Sequence, residues 1–216
     1  MDNVIWEEVL IGLVETLQMT VISTILAYIV GMPIGVLLVV TGRGHILPNR
    51  IVNSILGTIV NIFRSIPFLI LLVFLIPFTR WITGASIGTT ATIVPLTIGA
   101  IPIIARMVES SLKEVPPGII EAAQSMGASP LQIIFRFLIP EAVPSLILGG
   151  AINLATILGY SAMAGCIGGG GLGAIALNYG YYRYQTDVLL VTVVTLILIV
   201  QIFQELGTRL SIRFRH

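Results

Sequence analysis

Gly168, Gly170 and Gly173 satisfy G-x-G-x-x-G, a spacing that lets backbone amides approach a dinucleotide pyrophosphate when it sits between a strand and a soluble helix. Here the glycines link two long apolar segments, so they read instead as a short loop folded tightly against its neighbours. A phosphate loop needs Gly-Lys followed by Ser or Thr. Lys113 is the only lysine and Leu112 precedes it, so the chain lacks the residues to hydrolyse ATP itself. Cys166 is the only cysteine, which excludes an internal disulfide and a cysteine-based metal cluster. His45 and His216 are the only histidines and lie far apart, so no histidine metal site and no bound cofactor are expected. What remains is Glu121-Ala122-Ala123-Gln124-Ser125-Met126-Gly127-Ala128, a nearly polar break that runs on to Phe137-Leu138-Ile139-Pro140. Its chemistry is recognition: a carboxylate, an amide and a hydroxyl among small apolar side chains, with the shape of something inserted into another protein.

The elements that hold out this break are lipid-soluble. Hydrophobic residues make up 56% of the chain and charged residues 10%, against about 25% charged in soluble domains. Mean hydropathy is +1.03. The net charge of +1 gives no reason to expect nucleic-acid binding. A bilayer-crossing helix needs roughly 20 mostly apolar residues, and five segments qualify, near 17–40, 55–79, 87–108, 141–165 and 187–207. The expected fold class is therefore all-α: one polytopic transmembrane domain over 1–216, with five spans and a helical loop over 116–137. Asp2, Glu7 and Glu8 precede any base, unlike the basic start of a signal peptide, so no cleaved leader is expected. No added soluble domain is expected after the last span.

Lysine and arginine set the orientation. With the N-terminus outside, Arg43, Arg50, Arg106, Lys113, Arg136, Arg209, Arg213 and Arg215 all fall on the cytoplasmic side, and only Arg80 and Arg183 fall outside. An odd number of spans then leaves the C-terminus inside, with its basic tail. The polar break faces the compartment that holds ATP.

Within the break, Pro116 and Pro117 end the third span and stiffen the entry to a short helix. Ile119, Ile120, Ala122, Ala123 and Met126 are expected on one side of it, with Glu121, Gln124 and Ser125 elsewhere. Gly127 stands where a helix stops in a left-handed turn. Ser129 and Pro130 restart a helix as N-cap and first helical residue. Leu131, Ile133, Ile134, Phe137 and Leu138 carry it to the bilayer, where Pro140 is expected to close it. An amphipathic hairpin lying on lipid headgroups would fit the same pattern. Such a helix usually carries Lys and Arg on its polar face, and residues 118–135 have neither, which favours docking into a protein.

Glu-Ala-Ala, three residues, Gly, nine residues and an apolar-x-apolar-Pro ending resembles the EAA loop of ABC importer permeases. Phe137-Leu138-Ile139-Pro140 departs conservatively from that family's usual Ile-x-Leu-Pro. Asn61-Ile62-Phe63-Arg64-Ser65-Ile66-Pro67-Phe68, Ile76-Pro77-Phe78-Thr79-Arg80, Ala105-Arg106-Met107-Val108-Glu109 and Gly159-Tyr160-Ser161-Ala162-Met163 narrow the resemblance to the permeases of methionine-uptake ABC transporters, from about residue 12 to 210. The resemblance implies a multi-pass protein of the bacterial cytoplasmic (inner) membrane that imports methionine, including D-methionine. It implies a homodimer surrounded by membrane lipids, two cytoplasmic ATP-binding subunits that hold the ATP and Mg, and an extracytoplasmic substrate-binding lipoprotein. It implies coupling roles for Glu121 and Gly127, with Ala122, Ala123 and Met126 as contacts to the ATPase. It also brings the region of Tyr160, Ser161 and Met163 near the translocation path, with Met163 from two copies as a gate; ordinary packing is the alternative for these three.

Arg64 at depth would cost roughly 2.5–3.5 kcal/mol on insertion scales. Near the inner interface it can snorkel, so it reads as an anchoring or pairing residue rather than a substrate contact. Glu141, Asp187 and Glu205 fall near span ends. The lack of an acid clearly at mid-membrane argues against an ion-gradient carrier. Gly31 and Gly35 form a small-xxx-small pair suited to close helix packing, and Pro95 and Pro102 are expected to bend the third span. Nothing in the pore residues themselves selects methionine. A permease for another amino acid or small solute, an ion-gradient carrier or channel subunit, and an assembly subunit without transport remain as alternative readings.

Overall fold

Long apolar segments with no water to satisfy their backbone must close their hydrogen bonds internally, and a helix does this within one segment. The computed structural model describes residues 3–214, and those residues form helices and connecting turns without a strand. Expectations that rest on Met1, Asp2, Arg215 and His216 lie outside the described residues. Four helices are long and apolar enough to cross a membrane, or five if a bent pair counts as one span.

α1 (Asn3–Val40) is 38 residues long, about 57 Å at 1.5 Å per residue, well beyond a hydrocarbon core of about 30 Å. The expected span 17–40 is thus only its C-terminal part. The earlier turns carry Glu7, Glu8 and Glu15, which mask the helix in a hydropathy reading but not in a hydrogen-bonding one. α2 (Arg50–Ser65) starts on Asn49, whose Oδ1 accepts from the backbone amides of Ile51 at 3.2 Å and Val52 at 3.1 Å. α3 (Phe68–Phe74) follows at 98° to α2. The expected single span 55–79 is therefore a broken pair. Pro67 explains the break, because it disfavours helical backbone in the residue before it, and Ile66 is extended at φ −79°, ψ 123°. α4 (Ile76–Thr83) continues to Gly84 and exposes Trp81 and Phe78, side chains suited to a membrane interface.

α5 (Thr89–Lys113) holds Pro95 and Pro102 inside one continuous helix and is the best-buried element. It packs along α1. A Cβ on Gly31 would lie 3.0 Å from the Ile101 carbonyl oxygen, and one on Gly35 would lie 2.7 Å from the Ala105 oxygen. The small-residue pair therefore does what its spacing suggests. After α6 (Pro117–Ser125) the chain restarts at α7 (Pro130–Ile133), passes through one π-helical turn (Ile134–Leu138) and continues as α8 (Ile139–Ala164). Pro140 does not close this helix. Proline lacks the N–H that would bond to the fourth residue back and its ring crowds that carbonyl. The wider π turn just before it, with the Ile139 amide donating to the Ile134 oxygen, admits the proline without a stop. The helical run is 38 residues over Pro130–Ile167 rather than 141–165.

α9 (Gly171–Ile175) is a short helix between α8 and α10 (Thr186–Arg213). The connections sort to two ends of the molecule. At one end the Gly88 amide donates to the Gly168 oxygen at 2.8 Å, and Glu15 reaches the Gly171 amide at 2.7 Å. At the other end α6 and α7 stand beside the start of α8, and the Ser211 hydroxyl of α10 donates to the Pro144 oxygen at 2.7 Å.

Candidate functional site

The elbow between α5 and α8 owes its shape to two local devices. Pro117 opens α6 where a missing N–H is harmless. At the far end Gly127 adopts φ +76°, its amide donates to the Gln124 oxygen at 2.9 Å, and the Ala128 amide donates to the Ala123 oxygen at 3.1 Å. That pair of bonds is a Schellman stop. α7 then restarts in a capping box: the Ser129 hydroxyl accepts from the Gln132 amide at 3.4 Å, and the Gln132 side chain accepts from the Ser129 amide at 2.8 Å.

The apolar residues of α6 do not all share one side. Ile120 and Ala123 are buried and Ile119 is half-buried, whereas Ala122 is exposed and Met126 is 70% exposed. Residues three apart share a helix face, so 120 and 123 clamp α6 to the buried Ile133 and Leu138 side of the fold. Ala123, expected as a partner contact, is instead fully buried and holds the elbow in place. Glu121, Ala122, Gln124, Ser125, Met126 and Gly127 form the outward surface. Leu131, expected among the residues that carry the chain to the bilayer, adds a 67% exposed apolar side chain just beyond the turn.

The elbow is tied to more than its two flanking helices. On α5, Glu109 pairs with Arg106 at 2.6 Å and with Lys113 at 2.7 Å. Arg106 Nη2 also donates to the Gly57 oxygen at 3.0 Å and to Asn61 Oδ1 at 2.8 Å on α2. The C-terminal half of α5 is thereby fastened to the helix that leads to the 98° break. Arg106, Glu109 and Lys113 stand at spacings of three and four, a face-sharing charge pattern that could have been read from the sequence. Their bond to α2 could not.

The three pore candidates have different surroundings. Ser161 is buried and its hydroxyl donates to the Leu158 oxygen at 2.8 Å, so it is bound to its own helix and is not a free pore hydroxyl. Tyr160 stacks on Phe68 with ring centroids 4.2 Å apart and planes 2° from parallel. Met163 is 49% exposed. The helix runs through Gly159 unbroken. Beside Tyr160 lies a cavity of about 260 Å³ lined by Phe63, Arg64, Ile66, Phe68 and Ile103 among others. Arg64 is exposed and has no ion-pair partner among the described residues, contrary to a pairing role.

The G-x-G-x-x-G stretch is built for packing. Gly168, Gly170 and Gly171 have φ of +83°, +79° and +74°, and a Cβ on Gly173 would collide with the Ala162 backbone. The Gly171 and Leu172 amides are taken by Glu15 and by the Thr16 hydroxyl at 2.7 and 2.9 Å.

Comparison with known proteins agrees with this arrangement. Residues 31–210 match the family model described as "Binding-protein-dependent transport system inner membrane component". The chain is 52% identical over 202 residues to the "Probable D-methionine transport system permease protein MetI" of Vibrio cholerae, covering 94% of this chain and 90% of the relative. It is 48% identical over 212 residues to the protein of the same description from Pasteurella multocida, covering 98% of each. Its fold superposes with a TM-score of 0.99, at 48% identity and over 100% of both chains, on a chain from a crystal structure of the MetNI methionine ABC transporter in an inward-facing conformation.

Proposed function

The chain belongs to the family of binding-protein-dependent transport system inner membrane components, and from that membership we propose that it is the permease subunit of an ATP-driven importer of methionine, including D-methionine, in the bacterial cytoplasmic membrane. The whole chain works as one transmembrane unit, with its N-terminus outside and its C-terminus inside. Two copies pair across the pore. Two cytoplasmic ATPase subunits bind ATP and Mg, and an extracytoplasmic binding lipoprotein delivers the substrate.

The observation that carries this reading is the elbow. It exposes Ala122, Met126 and Leu131 beside Glu121 and Gln124, yet residues 118–135 offer no base to a lipid headgroup. A capped, basic-poor elbow that turns only Ala122, Met126 and Leu131 outward suits a protein groove better than a membrane surface. The sorting of basic residues supports the orientation: Lys113, Arg136, Arg209 and Arg213 lie at the elbow's end of their helices.

The mechanism follows from how the elbow is attached. ATP favours the closed form of the ATPase pair, and closure shifts the permease between two states by the difference in binding between them. The grooves draw the two elbows together. α7 runs without interruption into α8, and α5 is bonded to α2 through Arg106, so the three helices move with the elbow. That motion opens the cavity outward to receive methionine, and hydrolysis resets it inward. Met163, half exposed, serves as a deformable gate. The test is uptake of radiolabelled L- and D-methionine into vesicles holding this chain, its ATPase and its binding protein, with and without ATP. Uptake with ATP alone is the expected result. Uptake without ATP, or none with it, would overturn the reading.

A further inference from the structure

We infer that Arg64 is the residue on the translocation path that receives the carboxylate of the transported amino acid, with the Phe68–Tyr160 wall beside it receiving the apolar side chain. The inference rests on the import reading above and assigns a residue to it.

Depth is the first argument. Arg64 shares its cavity with Ile103 of α5. Ile103 lies ten residues from Lys113 and fourteen from Thr89 along that helix, about 15 and 21 Å at the helical rise. Arg64 therefore sits at the level of the middle of a spanning helix, not at its inner end where a side chain could reach headgroups. The bend at Pro67 is what leaves it there, because α2 ends at Ser65 and the chain turns by 98°. A cation at that depth normally faces a protein partner or a water-filled path. Arg64 has no carboxylate partner among the described residues and is exposed at the mouth of the cavity.

Chemistry is the second. Guanidinium is planar and matches a carboxylate with two parallel hydrogen bonds. The other walls are apolar: Phe63, Ile66 and Ile103, with the stacked rings of Phe68 and Tyr160. Aromatic surface attracts a thioether sulfur. Gly99 makes room for this wall, since a Cβ there would lie 3.2 Å from the Phe68 ring. One cation against an apolar, aromatic surface suits a carboxylate that carries an apolar side chain and disfavours a sugar or a cation. The position also suits passage. The cavity lies on α2, which Arg106 couples to the elbow, so movement of the elbow moves the cation.

The test compares R64Q and R64K with the unaltered permease in proteoliposomes containing the ATPase and the binding protein, reading both methionine uptake and the ATP hydrolysis stimulated by loaded binding protein. R64Q is expected to lose uptake by at least about tenfold, as when one partner of a charge pair is truncated, while stimulated hydrolysis stays within about twofold. R64K, which keeps the charge without the planar fork, is expected to recover part of the uptake. Parallel loss of uptake and stimulated hydrolysis in both variants would make Arg64 a structural residue and overturn the inference. Uptake by R64Q equal to that of the unaltered permease would overturn the inference alone. No ATP-driven uptake by the unaltered complex would overturn the import reading, and this one with it.

Discussion

The elbow at residues 114–133 and the glycine-rich turn at 165–175 occupy corresponding places at opposite ends of the molecule. Both interrupt a pair of long helices, both use a left-handed glycine, and both contain a short helix. They differ in what surrounds the glycine. Nothing lies within 4 Å of where a Cβ on Gly127 would be, so that glycine is there for its backbone angle alone. Gly165 and Gly173 have ordinary angles but no room, because each faces the backbone of the other arm of its turn. Leu172 at the glycine-rich end is fully buried, whereas Met126 and Leu131 at the elbow are about two-thirds exposed. One turn is closed against its own protein and the other is left open.

The largest predicted effect tests the closed end. Gly173→Val should cost about 3 kcal/mol or more, the upper range for overpacking against backbone that cannot move aside. Loss of a monodisperse complex on size-exclusion chromatography, or a large fall in melting temperature, would register it. A stable Gly173→Val protein would mean that this end is not packed as described. At the elbow, Gly127→Pro should remove the hydrogen bond to Gln124 and separate the elbow from the ATPase while leaving the spans inserted. Gly127→Asn, which tolerates a left-handed conformation, should cost less than about 1 kcal/mol and keep transport.

The open end should respond in function rather than stability. Glu121→Lys and Ala122→Glu change exposed side chains and should alter stability by no more than about 0.5 kcal/mol. Either should reduce copurification with the ATPase and lower uptake about tenfold, the factor that corresponds to about 1.4 kcal/mol of lost contact. Ala123→Glu, one residue on, should do the opposite and unfold the elbow, because Ala123 is buried. Equal behaviour of the 122 and 123 variants would remove the distinction between the outward and inward faces of α6. Glu15→Leu at the closed end should cost about 1.5–3 kcal/mol by leaving the Gly171 amide without its charged acceptor.

The sequence shows the contrast between these two ends only in part. The all-helical class, the close packing at Gly31 and Gly35, the stop at Gly127 and the cap at Ser129 were all legible, because each depends on local residue types. Three features were not. Pro67 and Pro140 look alike as breakers, yet one turns the chain by 98° and the other sits in a continuous helix behind a π turn. The difference lies in whether the flanking turns can widen, which no single residue reveals. Four alanine and isoleucine residues of α6 fit two neighbouring helical stripes, and only their place in one core with Ile133 and Leu138 selects 120 and 123. Counting along a straight span puts Arg64 near the inner interface. Once α2 ends at Ser65 and the chain turns by 98°, that count no longer applies, and Arg64 lines a cavity with Ile103 of α5 instead.

The smallest predicted effect separates the two ends by their response to acid. At the elbow's end, His45 lies in the turn between α1 and α2, outside the spans. Partial burial, helped by the positive charge of Lys113, holds its imidazole below the ordinary value of 6.5. At the other end, Tyr179 is raised above its ordinary value of 10.0, chiefly by its hydrogen bond with Glu8, so it stays neutral throughout the physiological range. The sign for His45 follows from linkage: the unfolded chain takes up the proton at a higher pH than the folded one, so folding is favoured above 6.5 and that contribution is lost as pH falls through the depressed folded value. Melting temperature of the permease should therefore fall on acidification below about 6.5 with a slope that His45→Gln reduces. Tyr179→Phe should leave that slope unchanged. A reduction by Tyr179→Phe instead would place the acid-sensitive contact at the glycine-rich end and reverse the assignment.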